Sequence, residues 1–191
     1  MWPRSALGSG YVSEVDAALR AMGPEPPVEV INTGIGGNTV RDLFRRWDAD
    51  VLAHEPDWLS VMIGINDVWR FFDSKGVGAV MPAEYLRTYE GLLSRTPAGL
   101  KGLVLMSPFY VQTLRSDPMR VRMEEYGAIV RALAERRGAL FVDVQAALDD
   151  MLEVMPYKDL AADRVHPTPL GHWVIAGAFL NAVGATPRPR P

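Results

Sequence analysis

"WLSVMIGIND", residues 58–67, decides the fold. Its first seven residues, 58–64, are almost continuously apolar. That is the pattern of a strand covered on both faces of a sheet, not of one that alternates between core and water. Such a strand needs helices on both sides, and a chain of alternating helices and parallel strands supplies them.

The flanking sequence reads that way. Upstream, Val12, Val15, Leu19 and Met22 recur at helical spacing and predict a helix over 11–22, broken by "GPEPP". "VEVIN", 28–32, predicts a short β-branched strand, and "TGIGGN" a loop after it. Asn38 or Thr39 caps a helix whose apolar face is Val40, Leu43, Phe44 and Trp47. Downstream, Pro82 opens a helix through Tyr85, Leu86, Tyr89 and Leu93. "GLVLM", 102–106, is a third strand. Met119, Met123, Tyr126, Ile129, Val130 and Leu133 mark a long helix stopped by Gly138. "ALFVDV" is a fourth strand and "QAALDDMLEV" a helix. Thr168 caps and Pro169 opens a last helix through Val174, Ile175, Phe179 and Leu180. The expected class is α/β, a parallel sheet between layers of helices. Ligands bind such sheets at the C-terminal strand ends, where loops 33–38, 64–70 and 107–112 fall.

Composition narrows the function. With 191 residues the chain is one domain with a sizeable core. Residues 1–184 read as that domain, and 185–191 as a disordered Pro/Arg-rich tail. A net charge of −3 gives no reason to expect nucleic acid as a partner. No cysteine is present, which excludes disulfides and thiolate metal sites, and three scattered histidines make a poor ligand set for a metal. No cofactor is expected. No apolar run approaches the roughly 18 residues of a membrane span, so no membrane partner is expected. The N-terminus lacks the basic start and apolar core of a signal peptide, and the expected compartment is the cytoplasm.

Three stretches carry candidate chemistry. "NTGIGGNT", 32–39, has three readings. One is a dinucleotide turn, in which Gly34 and Gly36 fit but Thr39 stands where the third glycine belongs. The others are a plain tight turn and a loop aiming a backbone N–H at developing negative charge. Asn66 either caps a turn or donates to the same charge, and Asp67 supports its loop. In "ADRVHPTPLGH", 162–172, Asp163 stands three residues before His166. The acid can accept from one imidazole nitrogen and leave the other free as a base. His54 lies in a polar surface stretch, and His172 reads as packing or hydrogen-bonding support.

In order along the chain, Gly37 in "NTGIGGNT", Asn66 in "GIND", and Asp163 with His166 resemble three of the four sequence blocks of the SGNH hydrolases, the GDSL esterase/lipase superfamily. The resemblance runs from about residue 7 to residue 182. It implies a flavodoxin-like three-layer α/β/α sandwich with a five-stranded parallel sheet, and metal-free ester hydrolysis. It makes Gly37 an oxyanion N–H donor, Asn66 the side-chain donor to the same oxyanion, His166 the base and Asp163 its orienting acid. "GINDVWRFF" and "DPMRVRMEEYGAIVRALAERRGALFVD" resemble bacterial carbohydrate-acetyl esterases, which implies short acyl, above all acetyl, esters as substrates, carried on carbohydrates. Among the aromatic residues near the expected site, Trp69, Phe71, Phe72 and Tyr110, the best candidates for substrate contact are Trp69 and Tyr110; plain packing or a hydrophobic lid is the alternative.

The family's fourth block, a Gly-Asp-Ser nucleophile directly after the first strand, does not occur in 1–191. "ALGSGYVSEVDAALRA", 6–21, resembles the segment on the C-terminal side of that block. Ser5, Ser9 and Ser13 lack a preceding strand and do not fit the role. The family's first strand lies between the strands expected here at 28–32 and 58–64. Two explanations compete: a start assigned at an internal methionine, with roughly 25–35 further residues upstream by strand and loop dimensions, or a truncated relative that binds ligand without catalysis. Either way, 1–191 by itself is expected to hydrolyse esters poorly or not at all, since losing such a nucleophile costs roughly 10⁶ in turnover.

Overall fold

In the computed structural model, which describes residues 7–185, the strand at Trp58–Met62 (β1) pairs in parallel with Gly102–Met106 (β2), and β2 with Leu140–Val142 (β3). Among the described residues the sheet has three strands in the order β1-β2-β3. The register sets Trp58 against Gly102, where a Cβ would lie 2.2 Å from the indole ring. The glycine makes room for the tryptophan.

Eight helices surround the sheet among the described residues: α1 (Tyr11–Met22), α2 (Val40–Asp50), α3 (Ile65–Asp73), α4 (Pro82–Arg95), α5 (Pro118–Arg137), α6 (Val144–Leu152), α7 (Tyr157–Leu160) and α8 (Pro169–Ala182). The period-two alternation of β2 divides the core. Leu105 faces one cluster with Trp47, Tyr85, Tyr89, Met123 and Tyr126, from α2, α4 and α5. Val104 and Met106 face the other, with Val142, Leu148 and Ile175 from β3, α6 and α8. Two cores on opposite faces of one sheet make the three-layer sandwich.

The helix starts are set by local chemistry. Asp42 accepts from both the amide and the hydroxyl of Thr39, at 2.9 and 2.7 Å, closing a capping box at the head of α2. Asp117 caps α5 and Thr168 caps α8, each followed by proline. Gly138 ends α5 in the left-handed conformation, φ +60°.

Two expectations fail. "VEVIN" is not a strand: no neighbour pairs with 28–32 among the described residues, and Val28 and Ile31 are each 47% exposed. β propensity makes a strand only where a partner supplies the ladder. β1 lacks a second pairing neighbour among the described residues and Trp58 is 50% exposed, but its two faces are covered as expected, Leu59 and Val61 packing in one core and Met62 against the other. The stretch 64–70 is not a loop. Gly64, at φ +133°, turns the chain straight into α3, so Asn66 and Asp67 stand in a helical first turn.

Candidate functional site

The loop between α7 and α8 is closed at its base. The Thr168 amide donates to the Leu160 carbonyl at 2.8 Å, and its hydroxyl donates to Asp159 O at 2.5 Å and accepts from the Gly171 amide at 3.2 Å. Gly171 permits this approach: a Cβ there would stand 2.3 Å from Leu160 O. Between these ties, Arg164 adopts φ +70° and lays its guanidinium over the Tyr157 ring at 3.8 Å.

Inside the loop, Asp163 organises everything within reach. Its Oδ1 accepts from the amides of Val165 and His166 at 3.0 and 2.8 Å, and its Oδ2 meets His166 Nδ1 at 2.6 Å. Partial burial raises the Asp163 carboxyl, but the bonds from the His166 amide and ring and the Val165 amide outweigh it and take it down to about 2. An ionised carboxylate has no proton to give, so in the neutral ring Nδ1 carries the hydrogen and Nε2 presents its lone pair. Nε2 makes no hydrogen bond among the described residues, and the His166 side chain is 69% exposed. The pair can therefore take a proton from a group brought to Nε2.

The glycine loop and α3 are joined by the residues the sequence singled out. Asn66 Nδ2 donates to Asn38 O at 3.0 Å, and Asp67 Oδ1 accepts the Val40 amide at 3.0 Å. Gly37 takes φ +82°, its carbonyl accepts from Arg70 at 2.6 Å, and its N–H meets no acceptor among the described residues. The Asn66 amide is thus partly committed to the neighbouring loop, with one of its two N–H groups left over. One helical turn on, Trp69 sets its ring edge-on to His166, centroids 5.6 Å apart. Asn66 and Trp69, three apart on α3, share a face, which brings the glycine loop and the His166 loop to one end of the sheet.

Sequence reasoning missed the scaffold. Arg46 on α2 clamps the glycine loop through Asn38 Oδ1 at 2.8 Å and Thr33 O at 2.6 Å. Behind Tyr110, Gln145 Oε1 accepts the Tyr110 amide at 2.8 Å while its Nε2 donates to Asp149 at 3.1 Å. Asp149 is held by both terminal nitrogens of Arg120, at 2.7 and 2.6 Å, and Arg120, fully buried, also donates to Gln112 O at 3.1 Å. Arg120 was visible as an arginine between Met119 and Met123 on an otherwise apolar stripe. Nothing in the sequence marked Gln145.

Asp67 is buried, and its Oδ2 lacks a hydrogen-bond partner among the described residues. Burial pushes its carboxyl up to about 7 despite the Val40 amide. His172 Nδ1 accepts the Tyr11 amide at 3.2 Å, the support role read from sequence. His54 closes a short 3₁₀ turn at the exposed end of α2. Of the serines considered as nucleophiles, Ser13 bonds back to Gly10 O at 2.6 Å, Ser9 is exposed without a bond to His166, and Ser5 lies outside the described residues, as does the tail from 186 onward.

Comparison with known proteins gives this geometry a context. An acetylxylan esterase of Geobacillus stearothermophilus is 48% identical over 181 residues, 94% of this chain and 83% of its own length. The crystal structure of that esterase matches with a TM-score of 0.91 at 47% identity, covering 94% of this chain and 83% of its own. An α/β hydrolase from the metagenome of Lake Arreo, Spain, matches with a TM-score of 0.90 at 47% identity, covering 93% and 83%. Catalytic mutants of the Geobacillus enzyme have been solved with alanine replacing a serine, a histidine or an aspartate. The family model of the GDSL-like lipase/acylhydrolases matches residues 5–174, a span that takes in the glycine loop, the head of α3 and the Asp163–His166 pair. On that match and that identity, the chain belongs to the GDSL-like lipase/acylhydrolase family.

Proposed function

We propose that this site cleaves acetyl esters carried on carbohydrates, with His166 as general base, Asp163 as its orienting acid, and the Gly37 N–H and Asn66 amide as donors to the oxyanion. The observation that carries the reading is the 2.6 Å contact between Asp163 Oδ2 and His166 Nδ1, which leaves Nε2 free beside the α3 face that bears Asn66. The Geobacillus enzyme supports it: the aspartate and histidine replaced in its catalytic mutants stand three positions apart, as Asp163 and His166 do.

In this mechanism a serine hydroxyl at Nε2 loses its proton to His166 and attacks the acetyl carbonyl. Gly37 and Asn66 stabilise the tetrahedral oxyanion, each such donor being worth roughly 10²–10³ in rate. His166 then protonates the departing sugar alkoxide, and water releases acetate from the acyl-enzyme by the same route. The serine is the one participant that Ser9, Ser13 and the other described serines do not supply at Nε2.

The test is a fusion. The N-terminal segment of the Geobacillus enzyme, through its catalytic serine, is joined to residue 7 of this chain. The fusion is expected to hydrolyse p-nitrophenyl acetate and release acetate from acetylated xylan, and His166→Ala to remove about 10⁴–10⁶ of that turnover. Polypeptide 1–191 is expected to show little or none. Turnover by 1–191 that His166→Ala abolishes would place the nucleophile within it. An inactive but folded fusion would favour a binding domain.

A further inference from the structure

Next to the Trp69 ring a shallow, open cleft of about 340 Å³ is lined by Trp69, Phe72, Tyr110, Met119, Asp73 and Asp117. Its size suits a small-molecule site, roughly 300–1,000 Å³. We infer that this cleft is the subsite for the sugar next to the scissile ester, and that it selects uncharged pyranose units over acidic ones, with Asp73 as the residue that decides. The inference rests on the esterase reading above and adds the charge class of its substrate.

Three observations bear it. First, the wall is contiguous with the reacting end of the site. The Trp69 ring that lines the cleft is the one set edge-on to His166 at 5.6 Å. A ligand stacked in the cleft lies next to the base, where the alcohol part of an ester must sit.

Second, flat rings beside hydrogen-bond acceptors match a pyranose, whose faces present C–H groups and whose rim presents hydroxyls. A carboxylate only accepts, so it pairs with hydroxyl donors. The two carboxylates differ in how far they are already engaged. Asp117 Oδ1 accepts the amides of Met119 and Arg120 at 2.9 and 3.0 Å as the cap of α5. Asp73 is exposed at the end of α3 and, among the described residues, takes only the neighbouring Ser74 hydroxyl, at 3.3 Å. Asp73 is therefore the acceptor free to meet a substrate hydroxyl.

Third, the lining carries no cation among the described residues. The nearby arginines are occupied elsewhere: Arg70 with the Gly37 carbonyl, Arg122 over Phe71 at 4.5 Å, and Arg164 over Tyr157. A carboxylate on the sugar would meet Asp73 and Asp117 with no cation in the lining to pair with. At about 5 Å in a water-like medium such repulsion amounts to roughly four- to tenfold in affinity.

The experiment is a binding titration, which needs no nucleophile. Polypeptide 1–191 is titrated with neutral xylotetraose, and with the same oligosaccharide carrying a glucuronic acid branch. The Trp69 indole N–H and the Tyr110 amide are followed in ¹H–¹⁵N spectra. Xylotetraose is expected to shift both signals saturably, and the acidic oligosaccharide to bind roughly four- to tenfold more weakly at low salt. The gap should shrink at high salt and narrow by about half in Asp73→Asn, the Asp117 charge remaining. Trp69→Ala should lose the neutral ligand. Equal affinity for both oligosaccharides overturns the charge selection. Shifts that map away from Trp69 and Tyr110, or no saturable shift, overturn the subsite. The acetate-ester assay of the fusion uses an ester without sugar, so its failure would sink the esterase reading while leaving the binding result standing.

Discussion

The amide of Val111 donates to the carbonyl of Arg164 at 3.0 Å, and the Arg164 guanidinium returns toward the Val111 carbonyl at 3.5 Å. Loop 107–112 and the Asp163–His166 loop are therefore tied to each other directly. Anything that loosens the first reaches the second.

Gln145 is the test of that coupling, because it holds the Tyr110 amide from below. Gln145→Leu leaves that amide and the Asp149 carboxylate each short of a partner, at a cost of about 1–3 kcal/mol. Thermal unfolding should fall accordingly. Hydrogen exchange at the Tyr110 and Val111 amides should speed up well before that of β2. Unchanged exchange at both amides would show that the loop is held by other means.

Arg120 is fully buried against Asp149, whose side chain is 15% exposed. Arg120→Ala takes two bonds from that carboxylate, which keeps Arg115 at 2.8 Å and Gln145 at 3.1 Å, and should cost about 1–3 kcal/mol, whereas Arg120→Met with Asp149→Leu should recover part of the loss. Chemical denaturation of the parent, the single variant and the double variant measures it. Equal destabilisation of the single and double variants would count against the pair as the source.

Asp67 gives a pH signature with a definite sign. Its carboxyl titrates at about 7 when folded against an ordinary 3.8, so between those values the folded protein holds a proton that the unfolded chain has lost. Stability is then highest on the acid side and falls as pH rises toward 7, levelling above it. Asp67→Asn should flatten that slope. Asp163 acts oppositely: its folded value of about 2 makes its contribution complete above 3.8 and lost as pH falls toward 2. Denaturant midpoints from pH 3 to 8 for the parent, Asp67→Asn and Asp163→Asn separate the two. A parent profile that rises from pH 4 to 7 and does not change in Asp67→Asn would refute the Asp67 argument.

Two glycines look equally crowded and should behave differently. A methyl at 171 meets backbone, Leu160 O at 2.3 Å, which cannot move without opening the base of the loop. A methyl at 102 meets the ring of Trp58, which is half exposed and free to swing away. Gly171→Ala should cost about 2 kcal/mol or more and broaden the His166 ring signals, while Gly102→Ala should cost about 1 kcal/mol or less. Comparable losses at both positions would contradict the distinction.

The local signals were the readable ones. Caps at Thr39 and Thr168 and the stop at Gly138 depend on neighbours a few residues away, so the chain announces them. The Asp163–His166 pair was readable for the same reason: both partners lie within one loop. What the sequence could not show depends on long-range pairing. "VEVIN" has the composition of a strand and, among the described residues, nothing beside it to pair with. The apolar 58–64 run did announce the coverage of its two faces, but apolarity does not report whether a strand pairs along its edge. Gln145 and Arg46 act through carbonyls and amides 13 to 35 positions away, and no spacing rule points to them.

The loop tied off by Leu160, Thr168 and Gly171 has one more implication. The bonds to the His166 ring and amide come from within it: Asp163 takes the Val165 and His166 amides and the ring, while Thr168 fastens the ends. The acid–base pair is thus a prefabricated cassette. An engineer who moved it would have to carry 157–171 together with the 107–112 loop, because Tyr157, Asp159 and Val111 hold Arg164 and Thr168 from outside the turn.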